Sequence, residues 1–571
     1  MAVDVNELQV RYEQLKTERS GWDTAWEGLA ELFLPTRWRS ASDNSAHRSP
    51  KINGRLVNST GVLGMRTLAA GMQGGMTSPV RPWFRIVPAD RTMEGNGLNA
   101  WLDEVTEAMQ GVLHRSNFYN AIHGLYGDLG TFGTALLVET ADEDGLQFHL
   151  VRAGEYVLDV NGKNEVDTFF RRINMTARQI VDRWGDGEKV PVAIRSAAKP
   201  GQGQAGTARF DVIHAVFPRK DMQPNVGLGP ESKPYASVYF CIDASNAGKA
   251  AILDEGGYDM FPAFAPRWDV NGADVYGRSP AMDVTPDCRM LQAMSKTLRT
   301  MQHKIAAPPM LADKELKAFG VSLDPDSLNY VSFDNMSGNL PVVPIQQPEA
   351  SALNYTMQGI LNVEQVIYDG LYTDLFRMLI DDDRRQITAT EIQAKQQEKM
   401  ILIGPVVERL HKELLEPLIM RTFHLMQEWG ALPEPPAGVD VGTLDVAFES
   451  VLAQAQKLTA TSSMEQALAF FANAAAANPT MLDVLNFDAM GKAYLERIGV
   501  PDACIRDEDE IATVRQQRAE QQARMAEQEQ AMAQAQQAVD VTAAAKNLGQ
   551  TPTGADGQTL MGTLLGGIGV Q

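Results

Sequence analysis

The feature that most constrains this chain is a helix-patterned run over residues 388–430. Straight, at about 1.5 Å per residue, it would reach about 60 Å, longer than a small domain is wide. A helix of that length needs neighbours from outside its own domain. Its start is well marked: Thr388 and Glu391 form a capping box, and Ile387 with Ile392 supply the accompanying hydrophobic staple. Kinks are expected at Gly404-Pro405 and at Pro417. Just before the cap, Asp381, Asp382, Asp383, Arg384, Arg385 and Gln386 form a short connection from the preceding helix. Three adjacent carboxylates on a short loop lack the separated ligands and outer support of a catalytic metal site. The stretch therefore reads as a polar corner or a loop next to DNA.

With 571 residues the chain exceeds what one core can hold, so two to four structural units, or one extended multi-layer subunit, are expected. Its formal charge of -21 excludes a protein that coats nucleic acid broadly, because that affinity comes from excess Lys and Arg. Any DNA contact must be local. Cys241, Cys288 and Cys504 are far apart and form no CxxC pair, which argues against a disulfide framework or zinc cluster and for a reducing compartment. No 18-residue apolar stretch occurs, so no membrane span is expected, and "MAVDVNELQVRYEQL" does not read as a signal peptide.

Along the chain, Asp4 with Glu7 and the spacing of Trp22, Trp26, Leu29 and Phe33 up to Pro35 read as an N-terminal helical hairpin. Strand-like segments follow between about Thr134 and Phe264, interrupted by the capped helix "MTARQIVDRWG", which predicts a mainly antiparallel α+β body. After Pro280 long helices take over. Thr285 as cap and Pro286 at the first helical position open one that stops at Pro308-Pro309. Residues 307–350 are punctuated by Pro and Gly and read as a small α/β insertion, after which a second helix spans Ser351 to Ile380. Residues 506–571 hold an Ala- and Gln-rich helix with almost no apolar face, then a tail rich in glycine.

The first of these long helices is the most informative. Leu291, Met294, Leu298, Met301 and Ile305 form a packing seam, while Arg289, Lys296, Arg299, His303 and Lys304 project on the opposite side at about 100° per residue. Such a face is a solvated surface, one paired with an acidic neighbour, or one that meets phosphate. Other motifs carry less. "GQGQAG" precedes a strand rather than a helix, so it is a linker and no dinucleotide site. "GMQGGMTSP" lacks the ending of a phosphate loop. His411 and His424 read as ordinary helix residues, and neither a metal site nor a cofactor is expected.

Five stretches together resemble the head-to-tail connector, or portal, proteins of short-tailed (podovirus-type) bacteriophages. They are "NSTGVLGMRTLAAGMQGGMTSPVRPWF", "LGTFGTALL", "VYGRSPAMDVTPDCRMLQ", "TATEIQAKQQEKMILIGPVVERLHKELLEPLI" and "VAFESVLAQAQK", in the family's order over roughly residues 10–460. The resemblance implies an α+β portal fold: residues 1–280 as wing, 281–306 and 351–380 as stem helices, and 307–350 as clip. Residues 381–387 would be the channel loop, 388–450 a long kinked wing helix with a return strand, 451–505 a helical crown, and 506–571 the last helix and tail.

It also implies a non-enzymatic homo-oligomeric ring, usually of twelve subunits, at one capsid vertex, through which double-stranded DNA is packaged and ejected. The terminase large subunit, tail adaptor proteins, major capsid and scaffolding proteins would be its partners, with assembly in the host cytoplasm. Asp381 to Gln386 and the stripe Arg289, Lys296, Arg299, Lys304 would face the DNA. Twelve helices of about 10 Å diameter enclose a hole of roughly 28 Å, wide enough for a duplex. Twelve copies carry about -250 charges, which discourages DNA from adhering to the wall. The competing readings are a metal-dependent DNA-processing enzyme using Asp381 to Asp383 and another virion ring component such as a tail adaptor.

Overall fold

The structure, a computed structural model, describes residues 4–35, 37, 56–89, 96–142, 145–199, 207–219, 229, 232–242, 251–312, 342–344, 350–380, 402–435, 444–449, 467–471, 473, 484–498 and 508–550. They fall into two compact units, Met1–Leu485 and Asn486–Gln571. The first unit is α+β. Its opening helix α1 (Val5–Leu32) is capped by Asp4, whose side chain accepts from the Asn6 N–H at 2.9 Å.

The hairpin expected here is absent, because α1 runs unbroken through Ser20-Gly21. The reason lies on its buried side. Arg19 donates to the carbonyls of Gly154 and Tyr156 and pairs with Asp23 at 2.8 Å. Two turns on, the Trp26 Nε1–H donates to the Phe132 carbonyl at 2.9 Å. Both anchors sit on the same body, so the glycine between them stays helical.

Helix α2 (Thr60–Met76) comes next, then β1 (Phe84–Pro88), α3 (Asn96–Arg115) and α4 (Phe118–Phe132). Helix α4 is buried over nearly its whole length and packs on α2. Glycine makes that contact possible: a Cβ at Gly130 would lie 2.8 Å from Leu68 and 2.9 Å from Met65. Gly133 ends α4 at φ +78°, where a side chain would also strike the Gly277 carbonyl oxygen at 2.2 Å.

The strands are β2 (Leu136–Asp142), β3 (Gly145–Val151), β4 (Tyr156–Val160), β5 (Val166–Thr176), β6 (Arg209–Pro218), β7 (Tyr235–Cys241), β8 (Ala251–Tyr258) and β9 (Ala263–Phe264). Strands β4 to β8 form an antiparallel meander, and β3, β2 and β9 a second antiparallel sheet. Between β5 and β6 come α5 (Ala177–Trp184), opened by a Thr176–Gln179 capping box, and α6 (Val192–Ala198).

The chain then forms α7 (Pro280–Asp283) and α8 (Thr285–Ala306), the short pair β10 (Met310–Ala312) and β11 (Val342–Pro344), and α9 (Ala350–Gly370) and α10 (Thr373–Ile380). The second long helix thus divides where Tyr372 adopts φ +54°. There Gly370 meets Val284, to which a Cβ would come within 2.3 Å. Helix α11 (Glu416–Glu428) is followed by β12 (Leu444–Phe448), which returns to pair antiparallel with β1. The second unit holds α12 (Phe487–Ile498) and the exposed α13 (Glu508–Gln550).

Asp128 of α4 is buried, 3.5 Å from the Arg37 guanidinium. Burial outweighs Arg37 and pushes its carboxyl up to about 7. A raised carboxyl holds its proton in the folded state, so its contribution is full below the ordinary carboxylate value and lost as pH rises towards 7. Thermal unfolding at pH 5 and pH 8 should therefore show a smaller drop for Asp128→Asn than for the unmodified protein; equal drops would exclude this carboxyl as the source. A second pair of variants probes α2. A Cβ at Gly71 would sit 2.1 Å from Phe376, whereas at Gly74 it meets nothing within 4 Å. In denaturant unfolding, Gly71→Ala should cost about 1–3 kcal/mol, and Gly74→Ala should gain about 0.5–1 kcal/mol.

Candidate nucleic-acid interface

The candidate interface is the hairpin of α8 and α9. Ser279 sets its origin: its hydroxyl caps α7 by accepting from the Met282 N–H at 3.2 Å and donates to the Thr131 carbonyl at 2.8 Å. Because α7 leads almost directly into α8, Thr285 is no cap. Its hydroxyl donates back to the Ala281 carbonyl at 2.6 Å.

The seam faces as the periodicity predicts. Leu291 is buried, Met294 and Leu298 pack half-buried on the main core, and Met301 and Ile305 are half-buried further along. Cys288 is buried at the base, which pushes its thiol up to about 12 and makes it a packing residue rather than a nucleophile.

A polar lock fixes this hairpin to the residues that open α2. The Gln292 side-chain carbonyl accepts from the N–H groups of Val57 and Asn58 at 2.8 and 2.9 Å, and its amide donates to the Asn58 carbonyl at 2.7 Å. Asn58 in turn donates to Glu364 of α9 at 3.0 Å, and the Thr60 hydroxyl donates to the same oxygen at 3.2 Å. The "VNST" stretch that opens α2 is therefore held by both helices of the hairpin. Sequence reasoning missed this lock, since it joins residues more than 230 positions apart.

Arg289, Lys296, Arg299 and Lys304 are all exposed on α8, opposite the seam. They are not equivalent. Arg299 donates to the Val57 carbonyl at 2.9 Å, and the Arg289 guanidinium rests against α1 at Gly28. Lys296 and Lys304 extend from the outer face. Asp381, Asp382, Asp383, Arg384, Arg385, Gln386, Thr388 and Glu391 lie outside the described residues.

The long run after them is seen from residue 402. Residues 402–410 are helical, His411–Leu415 widen into a π turn, and α11 continues. Pro417, which lacks an N–H, stands in the first turn of α11, directly after this widened turn. Gly404 and Pro405 lie within helical residues. Glu413 of the π turn accepts from the Arg267 backbone N–H at 2.9 Å and from its guanidinium at 2.7 Å. The pair lines a cleft of about 840 Å³. His411 stacks on Phe448 with ring centroids 4.0 Å apart, a packing role.

Residues 5–505 match the family model described as bacteriophage head to tail connecting protein. The chain belongs to that family. Within it, the chain is 34% identical over 518 residues to a probable portal protein of Bordetella phage BPP-1, covering 90% of this chain and 91% of that one. It is 33% identical over 513 residues to the portal protein of Salmonella phage epsilon15, covering 89% and 90%. A chain in the neck of an empty GTA particle aligns over 69% of this chain and 81% of its own at 12% identity, with a TM-score of 0.29, a likeness too low to carry argument.

The lock yields a prediction. Gln292→Ala leaves two N–H groups and a carbonyl without partners, so it should lower stability by about 1–3 kcal/mol. Hydrogen exchange at Val57 and Asn58 should speed up in step; unchanged protection would show that the lock contributes nothing.

Proposed function

We propose that this chain is a phage portal: a ring at one capsid vertex that conducts double-stranded DNA during packaging and ejection. It docks the terminase large subunit first and tail adaptor proteins later, with capsid and scaffolding proteins around the wing. The α8–α9 hairpin is the stem, residues 307–350 the clip and residues 381–387 the channel loop. Residues 1–280 and the long helix after Thr388 with its return strand form the wing, and residues 451–505 the crown. Its role is structural, not enzymatic.

One observation carries the reading beyond family membership. Ile360 and Ile367 of α9 face α8 and the core. Tyr355 and Val366 lie roughly 120° to one side of that line, Met357 and Leu361 roughly 90° to the other, taking 100° per residue. These four remain exposed, Tyr355 by 82% and Leu361 by 62%. A helix with two different apolar flanks suits head-to-tail contacts with two neighbours, the contact type that closes into rings. The basic face of α8 then remains for the channel.

Electron microscopy of the purified protein should show rings with a central hole; monomers or filaments would overturn the proposal and leave the enzyme or adaptor readings. Leu361→Glu with Val366→Glu should shift native mass spectra from rings to single subunits, and intact rings would remove α9 from the interface. Arg384→Ala with Arg385→Ala should shorten or loosen the packaged genome, because brief phosphate contacts are lost. Unchanged genome length and retention would take that loop out of the DNA path.

A further inference from the structure

We propose that Asp259, His424 and Glu428 form a binding site for a first-row divalent cation of the zinc type. It lies outside the stem and does not depend on the portal reading. Donor atoms of all three residues lie within 4.8 Å of one another. His424 and Glu428 stand one turn apart on α11, with Nε2 3.5 Å from Oε1. Two donors on one tetrahedral ion, bonded at about 2.0–2.2 Å, lie about 3.4 Å apart, so this half of the site is already formed. The i,i+4 spacing is what places both donors on one helix face.

Asp259 comes from the segment just after β8, and that segment is tied to the same helix. Arg421 donates to the Met260 carbonyl at 2.7 Å and lies over the Tyr258 ring at 5.4 Å. Beneath it, Arg421 meets the buried Glu139 at 3.2 Å, and the Thr422 hydroxyl donates to Glu139 at 3.0 Å. Arg421 thus ties the segment that carries Asp259 to the helix that carries His424 and Glu428.

A further sign comes from His424 itself. Its Nε2 makes no hydrogen bond among the described residues and faces the Glu428 carboxylate at 3.5 Å, on a half-buried ring between two exposed carboxylates. A cation between imidazole and carboxylate would use both donors. One imidazole with two carboxylates suits zinc-type ions better than magnesium or calcium, which take oxygen donors throughout. The competitor is Lys233, whose ammonium pairs with Asp259 and must leave it when the cation binds. Bound, the ion would tie the end of α11 to the end of β8, just before Gly430 turns the chain at φ +62°.

Calorimetric titration of Zn²⁺ into the full-length protein, stripped of metal beforehand, tests the site. One saturable equivalent per subunit is expected, weakened at least about tenfold in His424→Gln and in Glu428→Gln, and tightened in Lys233→Met. Co²⁺ should give visible absorption bands that His424→Gln abolishes. Far-ultraviolet circular dichroism of the metal-free variants separates lost binding from lost folding. Identical isotherms for the unmodified protein and both Gln variants, or no saturable binding, would overturn the proposal.

Discussion

The position of α2 between two layers governs the rest of the first unit. On one side Leu68 and Met65 press into α4 at Gly130; on the other, Leu371 and Phe376 press into α2 at Gly64 and Gly71. A side chain at any of these glycines would stand inside a neighbour's van der Waals radius, so the three layers approach as closely as backbones allow. Packing of this kind fixes distance but is poor at fixing rotation, because apolar contacts have no direction. Direction comes from the polar lock. The amide of Gln292 and the carboxylate of Glu364 both bind the residues that open α2, so the hairpin cannot turn about its own axis without breaking several hydrogen bonds.

The charge distribution follows a matching division. The chain carries a net charge of -21, yet α8 has no acidic residue after Asp287. Elsewhere, buried cations are matched within the fold: Arg19 by Asp23 and two carbonyls, Arg267 by Glu413, Arg421 by Glu139. Paired in this way they serve the core of the first unit and offer little to an outside anion. The exposed lysines of α8 differ because the seam beneath them is satisfied by packing. An acidic body with a narrow basic face holds phosphate briefly and releases it, whereas a generally basic body would hold many phosphates at once.

Much of this was legible in the sequence, and the failures have physical causes. The seam on α8, the capped helix after Thr176 and the antiparallel body follow from periodicity and turn chemistry, both local signals. Local reasoning failed where a distant residue decided the outcome. Thr285 has a cap's composition, but Ser279 starts the helical path six residues earlier. A helical hairpin was expected at the start of the chain, but Arg19 and Trp26 anchor one continuous helix on either side of Gly21. The break after Gly370 depends on Val284, and the lock at Asn58 on Gln292 and Glu364. One sequence cannot pair residues so far apart.

Ring closure gives the rigidity of the junction its meaning. In a head-to-tail ring every interface repeats, so an angular error between one subunit's α8–α9 hairpin and the rest of its fold accumulates around the circle and prevents closure. The tolerance per subunit is therefore much tighter than a monomer needs. The glycine contacts and the polar lock supply that tolerance at the base of the hairpin, where Leu291 is buried. Towards the far end the seam thins to the half-buried Met301 and Ile305, and nothing comparable to the lock appears among the described residues. The strongest fastening of the hairpin is thus at its base, where α8 and α9 join the rest of the first unit.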